Sequence, residues 1–483
     1  MKFRILIAAG IALGSPPPAI AHDEGHGAVQ VPWQQASGWP DRIIATMDGD
    51  PARSISVSWR TVGTVTATRA EIALAVPDAR FDQVATSAPA DTQVLDLTQF
   101  ELAGLTLPVE HNAGLPASSH HSVRFEGLEP DTLYAYRVQG AEGQWSEWFQ
   151  TRTAPVSGPL RFIYLGDAQN GLDSHWPRVI RAAFQQAPDA RFILHAGDLV
   201  NRGSRDLEWA HWFRAGSFIH GMIPAIPVAG NHEYEAVGLT EADRRRVLSL
   251  LWRPQFRLPE TPELPADLQE TVYEVRYSAD LTVYVLDSNA ADMTDQARWL
   301  DEKLTASQAR WHVVSMHHPV FSSGRDRDNP RVRDVLLPVL LEHKVDLVLQ
   351  GHDHTYARGA IAGDQGQVPV ANAVEGAGDG VTSMFVNSVS GPKQYRFQAD
   401  DWDNYRDDGV ELARRGENTQ FFQVIEIDAG VLRYQAFTAD GEVYDAFEMH
   451  KSEDGTKTLR SQEQDLPETR SFANSLPYSS TAN

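Results

Sequence analysis

Apolar and polar residues alternate through the first part of the chain, as with Ile55, Val57 and Trp59 in SISVSWRT and Val123 and Phe125 in HSVRF, with turn signals between such runs. A period of two is that of a half-buried strand, so this part is predicted to be β-rich. The pattern changes after RTAPVSGP, Arg152 to Pro159, which reads as a linker. Beyond it, solid apolar runs alternate with amphipathic stretches, the signature of strands and crossover helices in a layered α/β domain. SHWPRVIRAAFQQ, DLEWAHWFRAGSFIH and TDQARWLDEKL read as helices, the last capped by Thr294. SMFVNSVS, TQFFQVIEID, VLRYQAFTADG and VYDAFEM read as further strands. GDQGQVPVANAVEGAGDG reads as a long loop and DDWDNYRDDGV as an acidic one; from about Lys451 the chain turns polar, and residues 451–483 read as a disordered tail.

Five apolar runs end on residues that do not belong in a core. RFIYLGDAQN closes on Asp167, RFILHAGDLVN on Asp198, IPAIPVAGNHEY on Asn231 and His232, WHVVSMHHP on His317 and His318, and VDLVLQGHDH on His352 and His354. Sheets of this class bind ligands at the carboxyl ends of their strands, where the loops gather around one crevice. Carboxylate, imidazole and amide oxygen together suit borderline divalent or trivalent metals. Without a cation, acids and imidazoles so crowded are costly to desolvate. Each motif alone has a plainer reading: Gly-Asp after a strand as a turn, Asn-His as a turn or cap, His-x-His as surface. The ordered series is what points to a site.

Composition narrows the picture. With 483 residues, 42% of them apolar, the chain is too long for one ordinary domain and rich enough for real cores, so two domains are expected. There is no cysteine, which leaves His, Asp, Glu, Asn and Gln as the available metal ligands. A formal charge of -23 argues against nucleic acid as a dedicated partner and requires local positive charge for any anionic substrate. Residues 1–21 carry basic residues, an apolar run and small residues ending at Ala21, and read as a cleavable signal peptide. The expectation is an exported protein, periplasmic or secreted, with no membrane-spanning run after that segment. HDEGHG, which follows it, reads as a flexible polar terminus.

LEPDTLYAYRV resembles the tyrosine-corner segment of fibronectin type III and related sandwiches, which places a β-sandwich at residues 30–153. The motif series itself resembles the calcineurin-like metallophosphoesterases. With the sandwich and GHDHTYARG it is most similar to their purple acid phosphatase branch. The resemblance implies a β-sandwich followed by a four-layer α/β/β/α domain over residues 159–450, a centre of two metal ions (Zn, Mn or Fe), and a small phosphorylated substrate. By the resemblance, Asp198 bridges the metals, Asp167 and His354 serve the first, and Asn231, His317 and His352 serve the second. His232 binds phosphate and protonates the leaving alcohol, and Asn231 lies within reach of the substrate. His318 reads either as a further phosphate contact or as a residue packed behind the ligands.

Two such metals favour direct hydrolysis of phosphate monoesters by a metal-bound hydroxide, with no covalent phosphoenzyme. The alternatives are a phosphodiesterase or nucleotide hydrolase on the same centre, and a catalytically inactive cell-surface binding protein that keeps the fold. Two positions depart from the purple pattern: Asn201 stands where those enzymes carry a tyrosinate, and Gln169 where the wider superfamily often has a metal-binding histidine. Gln169 is read as an amide-oxygen ligand of the first metal, with hydrogen bonding nearby as the alternative. Without tyrosinate, the expectation is a colourless protein holding divalent ions, most active at neutral to alkaline pH. Glu233, Tyr356 and Arg358 read as supports, Arg202 as a surface residue, and Lys393, Tyr395 and Arg396 as rim or solvent-facing.

Overall fold

Strand alternation sets the layers. Val283 and Val285 belong to one core and Tyr284 and Leu286 to another, and the same split divides Val313 from Val314 and Leu347 with Leu349 from Val348. A strand sends successive side chains to opposite faces, so this sheet is covered on both sides. The computed structural model describes residues 32–102, 105–237, 244–362, 378–379, 381–397, 405, 409–462 and 466–468. The expected signal segment, the HDEGHG stretch, nearly all of both expected loops and most of the expected tail lie outside them.

The seven-stranded sheet runs Tyr273–Arg276, Leu281–Val285, Trp311–Ser315, Leu347–Gln350, Val381–Asn387, Tyr356–Ala362, Val410–Gly416. Its outer face packs on helices Thr294–Ala306 and Pro330–Glu342 through Trp299, Leu300, Leu336 and Leu340. Its inner face meets a second sheet, in which Leu160–Leu165, Ile193–His195 and Ala225–Pro227 run parallel. Helix Trp176–Gln186 covers the far side with Trp176, Val179, Ile180 and Ala183, an i, i+3, i+4, i+7 stripe. Helix, sheet, sheet and helix form the four expected layers.

The N-terminal part folds as two facing sheets around Val57, Trp59, Val123, Tyr136 and Phe149. The tyrosine corner is present: the Glu129 backbone N–H donates to the Tyr134 hydroxyl at 2.9 Å. The sandwich is not a separate body, because its Asp41–Thr46 strand pairs in parallel with Ala225–Pro227 and joins a single twelve-stranded sheet.

Three local expectations need correction. Thr294 is the first residue of its helix and Met293 occupies the cap position; the Thr294 N–H is instead satisfied by Asp292 Oδ1 at 2.9 Å. The run DLEWAHWFRAGSFIH breaks at Ser217, whose φ of 43° ends Asp206–Gly216 before the short helix Phe218–Met222. The tail is ordered where it returns to the sheet: Lys451 closes strand Val443–Lys451, and Lys457–Gln462 pairs antiparallel with it. Periodic burial of Lys457 and Leu459 repays the ordering cost that the polar sequence seemed unable to meet.

Candidate metal centre

Three of the five strands that feed the site end in a turn that ordinary backbone avoids. Asp167, Asp198, His352 and His354 all have positive φ, between 36° and 73°. Non-glycine residues in that region are strained and concentrate at functional sites. The glycines of the motifs serve close approach. A Cβ on Gly197 would lie 2.5 Å from His317 Nδ1, and one on Gly351 would lie 2.5 Å from Asp167 Oδ2. Only glycine lets these loops stack against one another.

Two ligand groups result, and they share one residue. Asp198, His317 and His352 bring ligand atoms within 4.8 Å of one another, as do Asp167, Asp198 and His354. In the first group His317 Nε2 is 3.2 Å from Asp198 Oδ2. Asn231 Oδ1 lies 3.1 Å from His317 Nε2 and 2.8 Å from His352 Nδ1, and those two nitrogens are 3.2 Å apart. In the second, His354 Nε2 is 3.6 Å from Asp167 Oδ1, a buried carboxylate oxygen with no hydrogen-bond partner.

Second-layer contacts aim these atoms inward. His317 Nδ1 bonds the Ala196 carbonyl at 2.9 Å and His354 Nδ1 the Lys393 carbonyl at 2.8 Å, so both rings donate backward and present Nε2 to the centre. Glu233 accepts from the backbone N–H groups of Asp198, Leu199, Val200 and Gly230, tying the second and third motifs together. Burial and Asp198 push the Glu233 carboxyl up to about 8, against those four donors. Asp353, between the two histidines, accepts from Ser322, Ser323, Gly324 and Asn387 and anchors the last loop.

The donor set fits a cation. Lone pairs of three imidazoles, an amide oxygen and two carboxylates converge where few donors oppose them, and buried acceptors left so cost free energy. Burial and Asp198 push Asp167 up to about 8. Burial opposes a charged His317, but Asp198 overcomes it and pushes that imidazole up to about 9. The attraction that Asp198 exerts on a proton there is the attraction a cation would satisfy in its place.

The remaining sequence candidates surround this cluster. The His232 N–H donates to Asp198 Oδ1 at 2.8 Å, its Nδ1 bonds the Asn201 carbonyl at 2.6 Å, and its Nε2 stands 3.9 Å from Asp198 Oδ2. His318 packs its ring 4.2 Å from that of His352 and is held through Nδ1 by Ser288 Oγ at 2.9 Å. Gln169 turns its amide nitrogen inward, donating to Asp198 Oδ2 at 2.7 Å with His354 Nε2 at 3.1 Å, while its Oε1 has no partner. That orientation is the hydrogen-bonding one of the two readings of Gln169.

Tyr234 bonds Asp287, and Tyr356 bonds Asp445 at 2.6 Å. Both are therefore committed away from the cluster. Arg202 turns to His111. Arg358 grips Asp445 through two bonds, as a support should. Sequence reasoning missed Arg327, whose Nη2 contacts His352 Nε2, and undervalued Tyr395, whose ring meets that of His354 at 4.7 Å. Neither sits in a motif; only the direction of its loop brings it in.

Both parts of the chain are similar to known proteins. Residues 160–356 match the Calcineurin-like phosphoesterase family and residues 40–153 the purple acid phosphatase N-terminal domain. Purple acid phosphatase 1 of Ipomoea batatas is 27% identical over 254 residues, 49% of this chain and 51% of the relative. The Fe(3+)-Zn(2+) purple acid phosphatase 12 of Arabidopsis thaliana is 27% identical over 258 residues, 50% and 52% of the two chains. The chain spans about half the length of the curated relatives it matches. The structure of a purple acid phosphatase from yellow lupin (Lupinus luteus) seeds superposes with a TM-score of 0.69 at 16% identity, covering 86% of this chain and 75% of that one.

Proposed function

We propose, for a chain that matches the calcineurin-like phosphoesterase family behind a match to the purple acid phosphatase N-terminal domain, that it is an exported, metal-dependent phosphoric ester hydrolase acting on monoesters. The observation that carries this reading is the sharing of Asp198 between two groups of ligand atoms. Asp167, Asp198 and His354 would hold one ion, and Asp198, Asn231, His317 and His352 the other, with zinc, manganese or iron as occupants. When bound, the pair supplies Lewis-acid stabilisation of phosphoryl oxygens and acidifies water.

The chain's own groups do the rest. Asn201 fixes the His232 ring through Nδ1–H and leaves Nε2 at the edge of the cluster, the atom from which a proton reaches the departing alkoxide. Burial lowers the His232 pKa, and an arriving phosphate dianion counters that by favouring imidazolium. His318, held by Ser288, lines the same face. Gln169 steadies Asp198 by its N–H, in place of a ligand. The sandwich at 30–153, the catalytic part at 159–450 and export through the first 21 residues complete the reading; the matches at 40–153 and 160–356 support the division.

The test is metal content and turnover on the same sample. We expect two ions per chain, hydrolysis of 4-nitrophenyl phosphate faster than of bis(4-nitrophenyl) phosphate, no visible charge-transfer band and a neutral to alkaline optimum. Two ions with no turnover on any ester would overturn the enzymatic reading; a diester preference would replace the monoesterase with a phosphodiesterase.

A further inference from the structure

A groove of about 1030 Å³ opens beside the candidate centre, and nothing above gives it a task. One wall comes from the N-terminal part, through Leu95 and Phe100. The other comes from the segment just after the Asn-His motif and the hairpin it begins, through Tyr234, Leu248 and Leu250. Leu95, Tyr234, Leu248 and Leu250 also pack against the main hydrophobic core. That contact holds their groove-facing sides in place, so the wall is preformed.

Single hydrogen bonds join the groove to the centre. Arg246, on its rim, donates to the carbonyl of Asn231. Asn289 Nδ2 donates to the Ala229 carbonyl at 3.0 Å. Asp287, a lining residue, bonds Tyr234 and immediately precedes the Ser288 that holds His318. A phosphoryl group seated on the metals would therefore have this apolar groove adjoining it.

We propose that the groove receives the alcohol portion of the substrate and selects phosphoesters whose leaving group is bulky and apolar, aromatic above all. This rests on the phosphoesterase reading. The phosphate itself needs none of this surface. Phe100 and Tyr234 both line the groove and offer aromatic surface to a ring bound there. The Arg253 charge is engaged by Glu270 at 3.4 Å, and the lining acids Asp96, Glu101, Asp267 and Asp287 outnumber Arg246 and Arg253, which disfavours an anionic leaving group. The N-terminal part thereby becomes part of substrate choice.

The experiment compares 1-naphthyl phosphate with glycerol 2-phosphate in wild type, Phe100→Ala and Leu248→Ala, each checked for folding by thermal melting. Both side chains are only partly buried, so both variants should fold. We expect KM for the naphthyl ester to rise about tenfold, the equivalent of one lost aromatic contact, with kcat and both constants for the glycerol ester within twofold. Equal effects on both substrates, or none on either, would overturn the groove. A parallel fluorescence titration with 1-naphthyl phosphonate, which cannot turn over, should show the same tenfold weakening; its failure counts against the groove even if no ester is hydrolysed. Absence of turnover with normal phosphonate discrimination would instead overturn the phosphoesterase reading.

Discussion

Two buried clusters of charge in this molecule are assembled on opposite terms. Where the sandwich meets the catalytic part, Asp206 lies 2.8 Å from Arg42 and 3.4 Å from Arg60, and Arg60 reaches Asp41 at 2.7 Å. Two guanidinium groups face two carboxylates, so the charges balance inside the protein. Burial opposes the charge on Asp206, yet the two arginines hold its carboxyl below the ordinary range. At the candidate centre Asp167 and Asp198 face imidazoles and an amide, with Lys393 as a neighbouring positive charge that favours the ionised form of Asp167. A cluster that balances itself is built for cohesion. One that leaves acceptors converging is built to bind.

Removing a carboxylate from each should separate the two designs. Asp198→Asn is expected to lower turnover by about 10³-fold or more, equivalent to about 4 kcal/mol of transition-state stabilisation, and to bring bound metal below two ions per chain. Wild-type turnover with full metal would sink the assignment. Asp206→Ala leaves two buried arginines without their shared partner, for which the expected loss is about 3–5 kcal/mol of stability. Its activity per folded molecule should stay normal. Chemical denaturation with activity read below the transition checks both halves; an inactive but stable Asp206→Ala would erase the distinction.

The two clusters also differed in how well the sequence announced them. Each ligand of the centre follows an apolar run by one to five residues and stands within two residues of a glycine or a second histidine, so local pattern exposes it. Arg60 and Asp206 are 146 residues apart and sit in no motif, and the same holds for Arg358 and Asp445, 87 apart. Nothing local marks such pairs, because their partners are chosen by the packing of whole layers. Helix Pro330–Glu342 was overlooked for a related reason: Pro338 inside it breaks the expected pattern, while Val332, Leu336 and Leu340 still form its buried stripe. The groove shared by Phe100 and Leu248 was equally invisible.

A finer distinction lies within the centre, between groups that hold metal and groups that touch the substrate. His232→Ala should keep both ions and slow hydrolysis of esters with poor leaving groups by about 10²-fold, the usual share of a general acid. Esters with good leaving groups should lose far less. Metal analysis beside a leaving-group series decides it, since parallel loss of metal would make His232 a ligand.

The smallest effect concerns buried histidines outside the candidate centre, two of them apart from both clusters and His120 beside the Arg60–Asp206 cluster. His195 and His220 are buried among Trp176 and Trp212, with the His220 ring stacked 4.2 Å from that of Trp212. Burial lowers them to about 3 and about 4, and burial together with Arg60 and Arg42 lowers His120 to about 3. Each is neutral in the fold and titrates near 6.5 once unfolded, so between those values the unfolded chain binds more protons. Stability therefore falls as pH drops below about 6.5 and stops falling on their account near their folded values. At about pH 5 each should have cost about 2 kcal/mol relative to neutral pH. His220→Leu removes one such share and should flatten the slope of denaturation free energy against pH by that amount, whatever it does to stability at pH 7. An unchanged slope would mean that His220 already carries its proton in the fold, and that the interior tolerates there a charge it balances around Asp206 only with paired carboxylates.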